Sequence, residues 1–221
     1  MRLASLAQES PPAATRLYLV RHGRVADGHT NRYHGNNDIE LSPEGERQLT
    51  ELALHLKSVP LAAVYASTLK RTQDGAARLC QGRELRPQVI PEFREIHFGV
   101  WEGLTFNEIS ERYPEELASR IQDIENFRIP EGESLLEVRD RVLPRLKTMV
   151  AEHPGQSLAL VAHAGVNRVI LCDALSLSLE NIFRLDQNYG CLNIIDYFPD
   201  FTVVRLLNGG VNGFLSNQIK Q

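Results

Sequence analysis

The chain has 221 residues and a formal net charge of −4 at pH 7, with 43% hydrophobic and 24% charged residues. This composition is that of an ordinary globular protein and supplies enough apolar surface for a sizeable core. The negative charge argues against non-specific binding of nucleic acid, and the absence of any run of about 18 apolar residues argues against a transmembrane helix.

The first half of the chain alternates predicted strands and helices. Residues 1–15 are predicted to be a flexible tail, because they lack the sustained apolar stretch of a signal peptide. Ser42 followed by proline is typical of a helix N-terminus, and Ser67 is expected to cap a second helix that runs to about Leu79. Apolar runs predict strands over Leu17–Val20, Ala62–Ala66 and Arg86–Ile90.

The second half begins with a less regular segment. Residues 104–134 are interpreted as a cap inserted over the sheet edge, with a predicted capping box at Thr105-x-x-Glu108. A second capping box, Ser134-x-x-Glu137, begins an amphipathic helix that we expect Pro144 to kink or split. Predicted strands follow over Leu158–Ala162, Cys191–Phe198 and Thr202–Leu207, with a helix after the first of them.

This order of elements predicts the fold class. Strands that alternate with helices predict an α/β fold with a mostly parallel sheet and helices on both faces. We therefore expect a three-layer α/β/α sandwich that forms a single domain over residues 16–221.

The cysteines indicate the cellular compartment. Cys80, Cys172 and Cys191 are isolated and odd in number, which favours reduced, buried thiols over a disulfide framework or a zinc site. A cytoplasmic protein is expected, and a homodimer is left open as its assembly.

A charged tripeptide, Arg21-His22-Gly23, follows the first predicted strand directly. The carboxyl ends of parallel strands are where an open α/β sheet presents its chemistry. A neutral His22 can attack phosphorus through a ring nitrogen, and Arg21 can bind phosphate oxygens by charge-assisted hydrogen bonds. Gly23 is expected to let the backbone turn sharply and to leave room above the imidazole.

Two further residues occupy similar positions after predicted strands. His163 ends the strand Leu158–Ala162, so we expect it at the same sheet edge as His22; its alternative role is a polar helix cap. Arg71 lies in the first turn of a predicted helix, where its charge opposes the helix dipole unless an anion binds there. The alternative for Arg71 is a solvated surface arginine.

Glu95 is the candidate acid of the segment Phe93–Gly103. A carboxyl beside a bound phosphate can protonate an alkoxide leaving group and then deprotonate water. The alternatives are a salt bridge between Glu95 and Arg94 or another surface cation, and the same catalytic role for Glu92 or Glu102.

Other kinds of site fit these residues less well. His22, His163 and Glu95 include zinc-type ligands, but two arginines in the same place would repel a divalent cation. The sequence contains no His-x-His or His-x-x-x-His pair, no Gly-x-Ser-x-Gly elbow and no Gly-x-x-x-x-Gly-Lys phosphate loop. No metal ion is therefore expected.

Taken together, the four segments resemble the histidine phosphatase superfamily, which has the phosphoglycerate-mutase-like fold. The matching segments are Leu19–Gly23, Ser67–Thr72, Arg94–Gly103 and Val161–Gly165, within a resemblance that covers residues 16–208. It implies that His22 becomes a phosphohistidine, that Glu95 donates and accepts the proton, and that no cofactor is needed. The residues implied to bind the phosphoryl group are Arg21, Arg71 and His163.

The implied chemistry agrees with the charges. Two arginines and a charged His163 can offset a phosphoryl transition state whose charge spreads over three oxygens. His22 must stay neutral at its attacking nitrogen, so its other ring N–H is expected to donate to a backbone carbonyl. Arg24 and Ala164 depart from the family pattern, where an acidic or small polar residue and a glycine are common. The candidate substrate-binding residues are Arg24, Tyr33 and Ala164.

Several segments, among them Arg32–Asp38, Tyr113–Leu117 and Pro130–Ser134, further resemble the alpha-ribazole phosphatases. The implied partner is a small phosphate ester, alpha-ribazole 5′-phosphate. The alternatives are a broad-specificity phosphatase, a phosphoglycerate mutase and, in another class, a non-catalytic phosphate-binding module. The cap holds eight carboxylates and three arginines, which argues against a substrate with a second anionic group. Three aromatic residues of the cap are expected to stack on a flat, neutral base or, alternatively, to lie in the core. They are Phe106, Tyr113 and Phe127.

Overall fold

A computed structural model describes residues 13–210 of the chain. The described strands are β1 (Thr15–Arg21), β2 (Leu61–Ala66), β3 (Gln88–Val89), β4 (Ser157–Ala162), β5 (Leu192–Tyr197) and β6 (Thr202–Gly209). They form one sheet in the order β3-β2-β4-β1-β5-β6. The first four strands in this order run parallel to one another, whereas β5 and β6 pair antiparallel. The expected mostly parallel sheet is therefore confirmed.

Helices cover both faces of this sheet. The α-helices are α1 (Pro43–His55), α2 (Lys70–Cys80), α3 (Phe106–Arg112), α4 (Pro114–Gln122), α5 (Leu135–Ala151) and α6 (Ala164–Ala174). Successive side chains of β1 point to opposite faces, so Leu17 and Leu19 join the core beneath α5 and α6, while Tyr18 and Val20 join the core beneath α1 and α2. The structure thus has the expected α/β/α layers.

Two local predictions are wrong, and a third is wrong in part. Leu69 is the N-cap residue of α2, so Ser67 does not cap that helix. The strand predicted over Arg86–Ile90 is only two residues long, because Pro87 has no N–H to donate to the sheet. Helix α5 continues through Pro144, so the predicted split is absent, whereas the alternative of a kink stays a prediction. Pro144 is exposed, so water can bond the carbonyl that the proline leaves unpaired.

The ends of the domain and the cap are described in part. Residues 1–12 of the predicted tail lie outside the described residues, but Thr15 belongs to β1, where its Oγ1 donates to the carbonyl of His153 at 2.8 Å. The segment 104–134 contains α3 and α4, and both predicted capping boxes are present, at Thr105 and Ser134. The single domain and its cap stay predictions. Among residues 13–210, no helix is long and apolar enough to cross a membrane.

Candidate active site

The register of the sheet brings the two candidate histidines together. Strands β1 and β4 pair in parallel with Arg21 opposite Ala162, so His22 and His163 each lie one residue beyond a paired strand end. Their ring centroids are 5.2 Å apart, with the ring planes at 62°. The expected convergence of two sequence-distant histidines at one sheet edge is therefore present in the structure.

The hydrogen bonds of His22 define its tautomer. Nδ1 lies 2.8 Å from the carbonyl oxygen of Gly23, which can only accept, so Nδ1 carries the proton. Nε2 is then the acceptor, 3.3 Å from the Nε of Arg71. Burial, together with the charges of Arg71 and Arg21, lowers the pKa of His22 well below its ordinary value. The result is a neutral imidazole whose free lone pair is on Nε2.

Arg71 is held rigidly against this lone pair. Its side chain is only 1% exposed, although it lies in the first turn of α2. Its guanidinium donates to the carbonyls of Asn37 at 2.7 Å, His34 at 3.0 Å and Gly35 at 2.9 Å. The alternative of a solvated surface arginine is therefore wrong, because the loop after β1 folds over α2 and supplies these acceptors.

His163 lies fully buried beside His22. Its Nε2 is 2.8 Å from the Oγ of Ser67, and its Nδ1 has no hydrogen-bond partner among the described residues. Although His163 is the N-cap residue of α6, its side chain makes no capping bond, so the helix-cap alternative does not account for it. Burial, Arg71 and His22 lower the pKa of His163 well below its ordinary value, which favours a neutral ring in the unliganded site rather than the charged ring we expected.

Glu95 is buried, and its hydrogen bonds differ from the salt bridge with Arg94 that was its alternative role. Its Oε1 accepts from the backbone N–H of Ile96 at 3.0 Å, and its Oε2 accepts from that of Gly165 at 3.1 Å. Arg141 on α5 holds the backbone on either side, donating to the carbonyls of Arg94 at 2.8 Å and Glu95 at 3.1 Å. Because these contacts turn the carboxylate toward α6, a salt bridge with Arg94 is not its role.

The two carboxylates considered as alternatives to Glu95 are placed differently. Glu92 is exposed to solvent. Glu102 accepts from the backbone N–H groups of Asn36 and Phe98, at 2.9 and 3.1 Å, so it connects two loops. Neither side chain lines the cavity that contains His22, whereas Glu95 does.

Two adjoining cavities surround these groups. The phosphate pocket, as we call the cavity of about 200 Å³ that contains His22, Arg21, Arg71 and Glu95, opens beside the loop after β1. The apolar cavity, of about 230 Å³, lies between the cap and α6 and is lined by side chains that include Ile109, Leu117, Ile124 and Leu135. Both cavities share Tyr33, Glu95, Phe98 and Ala164.

The three candidate substrate-binding residues differ in position. Tyr33 and Ala164 lie where the two cavities meet. Arg24 lines neither cavity; its Nε pairs with Glu44 of α1 at 3.3 Å. The chain turns toward α1 directly after His22, which explains why Arg24 is carried away from the pocket.

Gly23 allows a close approach of two backbones. Its φ is not positive, and a Cβ added there would overlap the carbonyl group of Gly45 in α1. Gly45 in turn leaves no room for a Cβ beside the backbone of Arg24. Gly23 is therefore needed for the packing of this loop against the first turn of α1, and the room that it was expected to leave above the imidazole stays a prediction.

Comparison with known proteins assigns this arrangement to a family. Residues 17–209 match the family model described as "Histidine phosphatase superfamily (branch 1)". The chain belongs to the histidine phosphatase superfamily.

Relatives of this histidine phosphatase include phosphatases of different specificity. It is 32% identical over 180 residues to Phosphoserine phosphatase 1 of Hydrogenobacter thermophilus, covering 80% of this chain and 82% of that protein. It is 27% identical over 193 residues to the Adenosylcobalamin/alpha-ribazole phosphatase of Salmonella typhimurium, covering 87% and 96%. The crystal structure of the alpha-ribazole phosphatase from Shigella flexneri superposes with a TM-score of 0.80 at 28% identity, covering 88% and 96%. The chain is thus a phosphatase with the phosphoglycerate-mutase-like fold.

Sequence reasoning missed three residues of this histidine phosphatase. The guanidinium of Arg21 lies 3.8 Å from the ring centroid of Tyr189 and donates to the carbonyl of Gln187. The rings of Tyr189 and His22 are 5.6 Å apart. Because β5 runs antiparallel to β1, residues just before β5 must lie beside the end of β1, and that topology is the signal that could have found them. The third residue is Ser67, which the sequence predicts as a helix cap but whose Oγ lies 2.8 Å from Nε2 of His163.

The two buried histidines of the phosphatase predict how its stability depends on pH. Below the ordinary histidine pKa of 6.5, the unfolded chain binds protons that the folded chain excludes. The free energy of unfolding should therefore fall as the pH falls, by up to about 1.4 kcal/mol per pH unit for each histidine. Urea unfolding between pH 7.5 and 5.5 measures this slope. His22→Asn should show a shallower slope, and an identical slope would contradict the prediction.

Proposed function

We propose that this histidine phosphatase hydrolyses phosphate monoesters through a phosphohistidine on His22. The observation that carries the proposal is the fixed tautomer of His22. Its protonated Nδ1 is bonded to the Gly23 carbonyl, and its unprotonated Nε2 faces the guanidinium of Arg71. An imidazole that presents a lone pair to a cation is suited to attack an anionic phosphoryl group, since the cation binds the group's oxygens next to the nucleophile.

In the proposed first step, a bond forms between His22 Nε2 and phosphorus while the ester P–O bond breaks. Arg21 and Arg71 offset the charge on the phosphoryl oxygens. His163 donates a hydrogen bond to a phosphoryl oxygen through Nδ1, the ring atom without a partner among the described residues. Glu95, protonated at this stage, gives its proton to the departing oxygen.

In the proposed second step, water replaces the leaving group. Glu95 takes a proton from the water molecule. The oxygen of that water bonds to phosphorus, and the bond between phosphorus and Nε2 of His22 breaks. Inorganic phosphate leaves, and His22 and protonated Glu95 are restored. The buried setting of His22 supports this cycle, because few water molecules can compete with the bound ester.

For the substrate, we propose alpha-ribazole 5′-phosphate. The apolar cavity adjoins the phosphate pocket at Glu95, where a leaving group would emerge. Large exposed apolar side chains of the wall, Phe106, Ile121 and Phe183, would contact a flat base. Of the other cap aromatics, Phe127 stacks on Trp101 at 6.2 Å and Tyr113 packs on the core. Two relatives named as alpha-ribazole phosphatases add support.

A parallel kinetic screen tests the class and the substrate. Purified protein is assayed with 4-nitrophenyl phosphate, alpha-ribazole 5′-phosphate and O-phosphoserine at equal concentrations. We expect all three to be hydrolysed and alpha-ribazole 5′-phosphate to have the highest kcat/KM. Similar kcat/KM values for all three would favour the broad-specificity alternative. Phosphoryl transfer to a second hydroxyl instead of water would favour a mutase, and no turnover would favour the binding module.

Location and assembly are also proposals. The three cysteines are buried and free, which supports a reducing compartment such as the cytoplasm. The homodimer stays a prediction of the sequence.

A further inference from the structure

The clamp segment, as we call residues 187–191 just before β5, holds the guanidinium of Arg21. The main-chain carbonyl of Gln187 accepts a hydrogen bond from Nη1 of Arg21. The ring of Tyr189 lies against the guanidinium, with 3.8 Å between the ring centroid and Cζ. Nε of Arg21 is buried and has no hydrogen-bond partner among residues 13–210. One donor is thus left free in a side chain that lines the phosphate pocket.

The main chain of the clamp segment is bonded to the end of β1 and to the nucleophile. The N–H of Gly190 donates to the carbonyl of His22 at 3.0 Å. The carbonyl of Cys191 accepts from the N–H of Arg21 at 3.1 Å. Because these bonds fix where the segment runs, it can set the position of the guanidinium relative to the imidazole.

A buried cluster of three amides anchors the side chain of Gln187. Gln187 is 4% exposed, and both Asn167 of α6 and Asn193 of β5 are fully buried. Gln187 Nε2 donates to Asn193 Oδ1 at 2.9 Å, and Asn193 Nδ2 donates to Gln187 Oε1 at 2.8 Å. The amide of Asn167 lies 3.1 Å from Gln187 Oε1. Buried polar groups are unfavourable unless they are bonded, whereas a bonded network holds one geometry. The cluster therefore fixes the clamp segment between α6 and β5.

Restraint of Arg21 favours phosphate binding. A long side chain loses much rotamer freedom when a ligand fixes it, so an arginine that is already fixed binds more tightly. We propose that Gln187 and Tyr189 are positioning residues that hold Arg21 with its Nε–H directed at a phosphoryl oxygen. The inference rests on the proposed function, because the oxygen belongs to the group that His22 receives. Both residues act through Arg21.

A double-mutant cycle tests whether Gln187 acts through Arg21. Gln187→Met removes the amide and keeps a side chain of similar length. We expect it to lower kcat/KM for 4-nitrophenyl phosphate by about tenfold to a hundredfold, because misplacing a catalytic group by about 1 Å can cost about a hundredfold. In an Arg21→Gln background, the same substitution should change kcat/KM by less than about twofold, since the guanidinium that it positions is absent.

Thr15→Val is the control for a loss of stability. It removes a hydrogen bond at the other end of β1, from the Oγ1 of buried Thr15 to the carbonyl of His153 at 2.8 Å. Urea unfolding should show that Thr15→Val and Gln187→Met are both destabilised, whereas only Gln187→Met should lower kcat/KM. An unchanged kcat/KM in Gln187→Met, or an equal loss with and without the guanidinium, would overturn the inference.

Tyr189 provides a second arm if Gln187→Met does not fold. Tyr189→Leu removes the ring beside the guanidinium and should lower kcat/KM by about threefold to thirtyfold, the range for a cation–π contact. This loss should disappear in the Arg21→Gln background. Tyr189→Phe keeps the ring and should recover most of the loss. Equal losses in Tyr189→Leu and Tyr189→Phe would assign the effect to the hydroxyl and overturn the inference.

Binding of inorganic phosphate separates this inference from the proposed function. Titration calorimetry measures the dissociation constant of phosphate for wild-type protein, Gln187→Met, Arg21→Gln and the double variant without any turnover. The constant should rise on Gln187→Met only where Arg21 is present. Turnover with independent losses in kcat/KM overturns only this inference, whereas coupled phosphate binding without turnover of any ester overturns only the proposed function.

Discussion

Replacing His22 by alanine is expected to abolish phosphoenzyme formation and to reduce turnover by about 10⁴-fold or more. The reason is that Nε2 of His22 forms the bond to phosphorus in the proposed first step, and its lone pair faces the guanidinium of Arg71 in the phosphate pocket. The measurement is rapid acid-free quenching after mixing with a ³²P-labelled ester, followed by detection of label on the protein.

A matched histidine provides the control for this substitution. His55 is exposed on α1, and its Nδ1 lies 2.8 Å from the carbonyl oxygen of Glu51. It is not among the residues proposed to take part in the reaction. His55→Ala should keep wild-type labelling and turnover. Circular dichroism should show that His22→Ala is folded. Label that still appears on folded His22→Ala would rule out His22 as the acceptor.

Replacing Glu95 by glutamine is expected to have an effect that depends on the leaving group. The amide cannot protonate a departing alkoxide, so the phosphorylation step should slow by about 10²- to 10⁴-fold for an alkyl ester. It should slow much less for 4-nitrophenyl phosphate, whose phenolate leaves without a proton. Single-turnover rates are the proper readout, because steady-state rates also contain the water step, which needs Glu95 as a base.

Glu92→Gln is the control for the acid. Glu92 is a glutamate three residues before Glu95 and is exposed, so its substitution should leave the hydrolysis of both esters unchanged. Equal losses on the alkyl and nitrophenyl esters in Glu95→Gln would contradict the role of Glu95 as an acid. Such a result would point to Glu95 as a residue that positions α6 through its bond to Gly165.

Residues that follow strand ends were the most predictable part of the site. His22 and His163 could be placed at one edge because parallel strands end together, and periodicity alone predicts those strands. Arg71 is predicted from its charge in the first turn of a helix, whereas Glu95 is one of three neighbouring carboxylates, with Glu92 and Glu102 as its alternatives. The structure brings all four to one place.

Contacts that depend on loop paths could not be predicted. The carbonyls that hold Arg71 and the stacking of Tyr189 on Arg21 come from segments with no periodic pattern. A charge count over the cap does not predict which side chains line the apolar cavity: Arg120 lines it, whereas none of the eight cap carboxylates does.

The register between β1 and β4 has a consequence for how such an enzyme can diversify. Because the imidazoles of His22 and His163 are placed by strand pairing, their spacing is independent of the segments that line the apolar cavity. Helices α3 and α4 can therefore exchange residues, lengthen or shorten while the reaction centre keeps its geometry. The residues proposed for the reaction and those proposed to select the substrate thus lie in separate segments of one chain. New specificities can therefore arise without a change in the geometry of the two histidines.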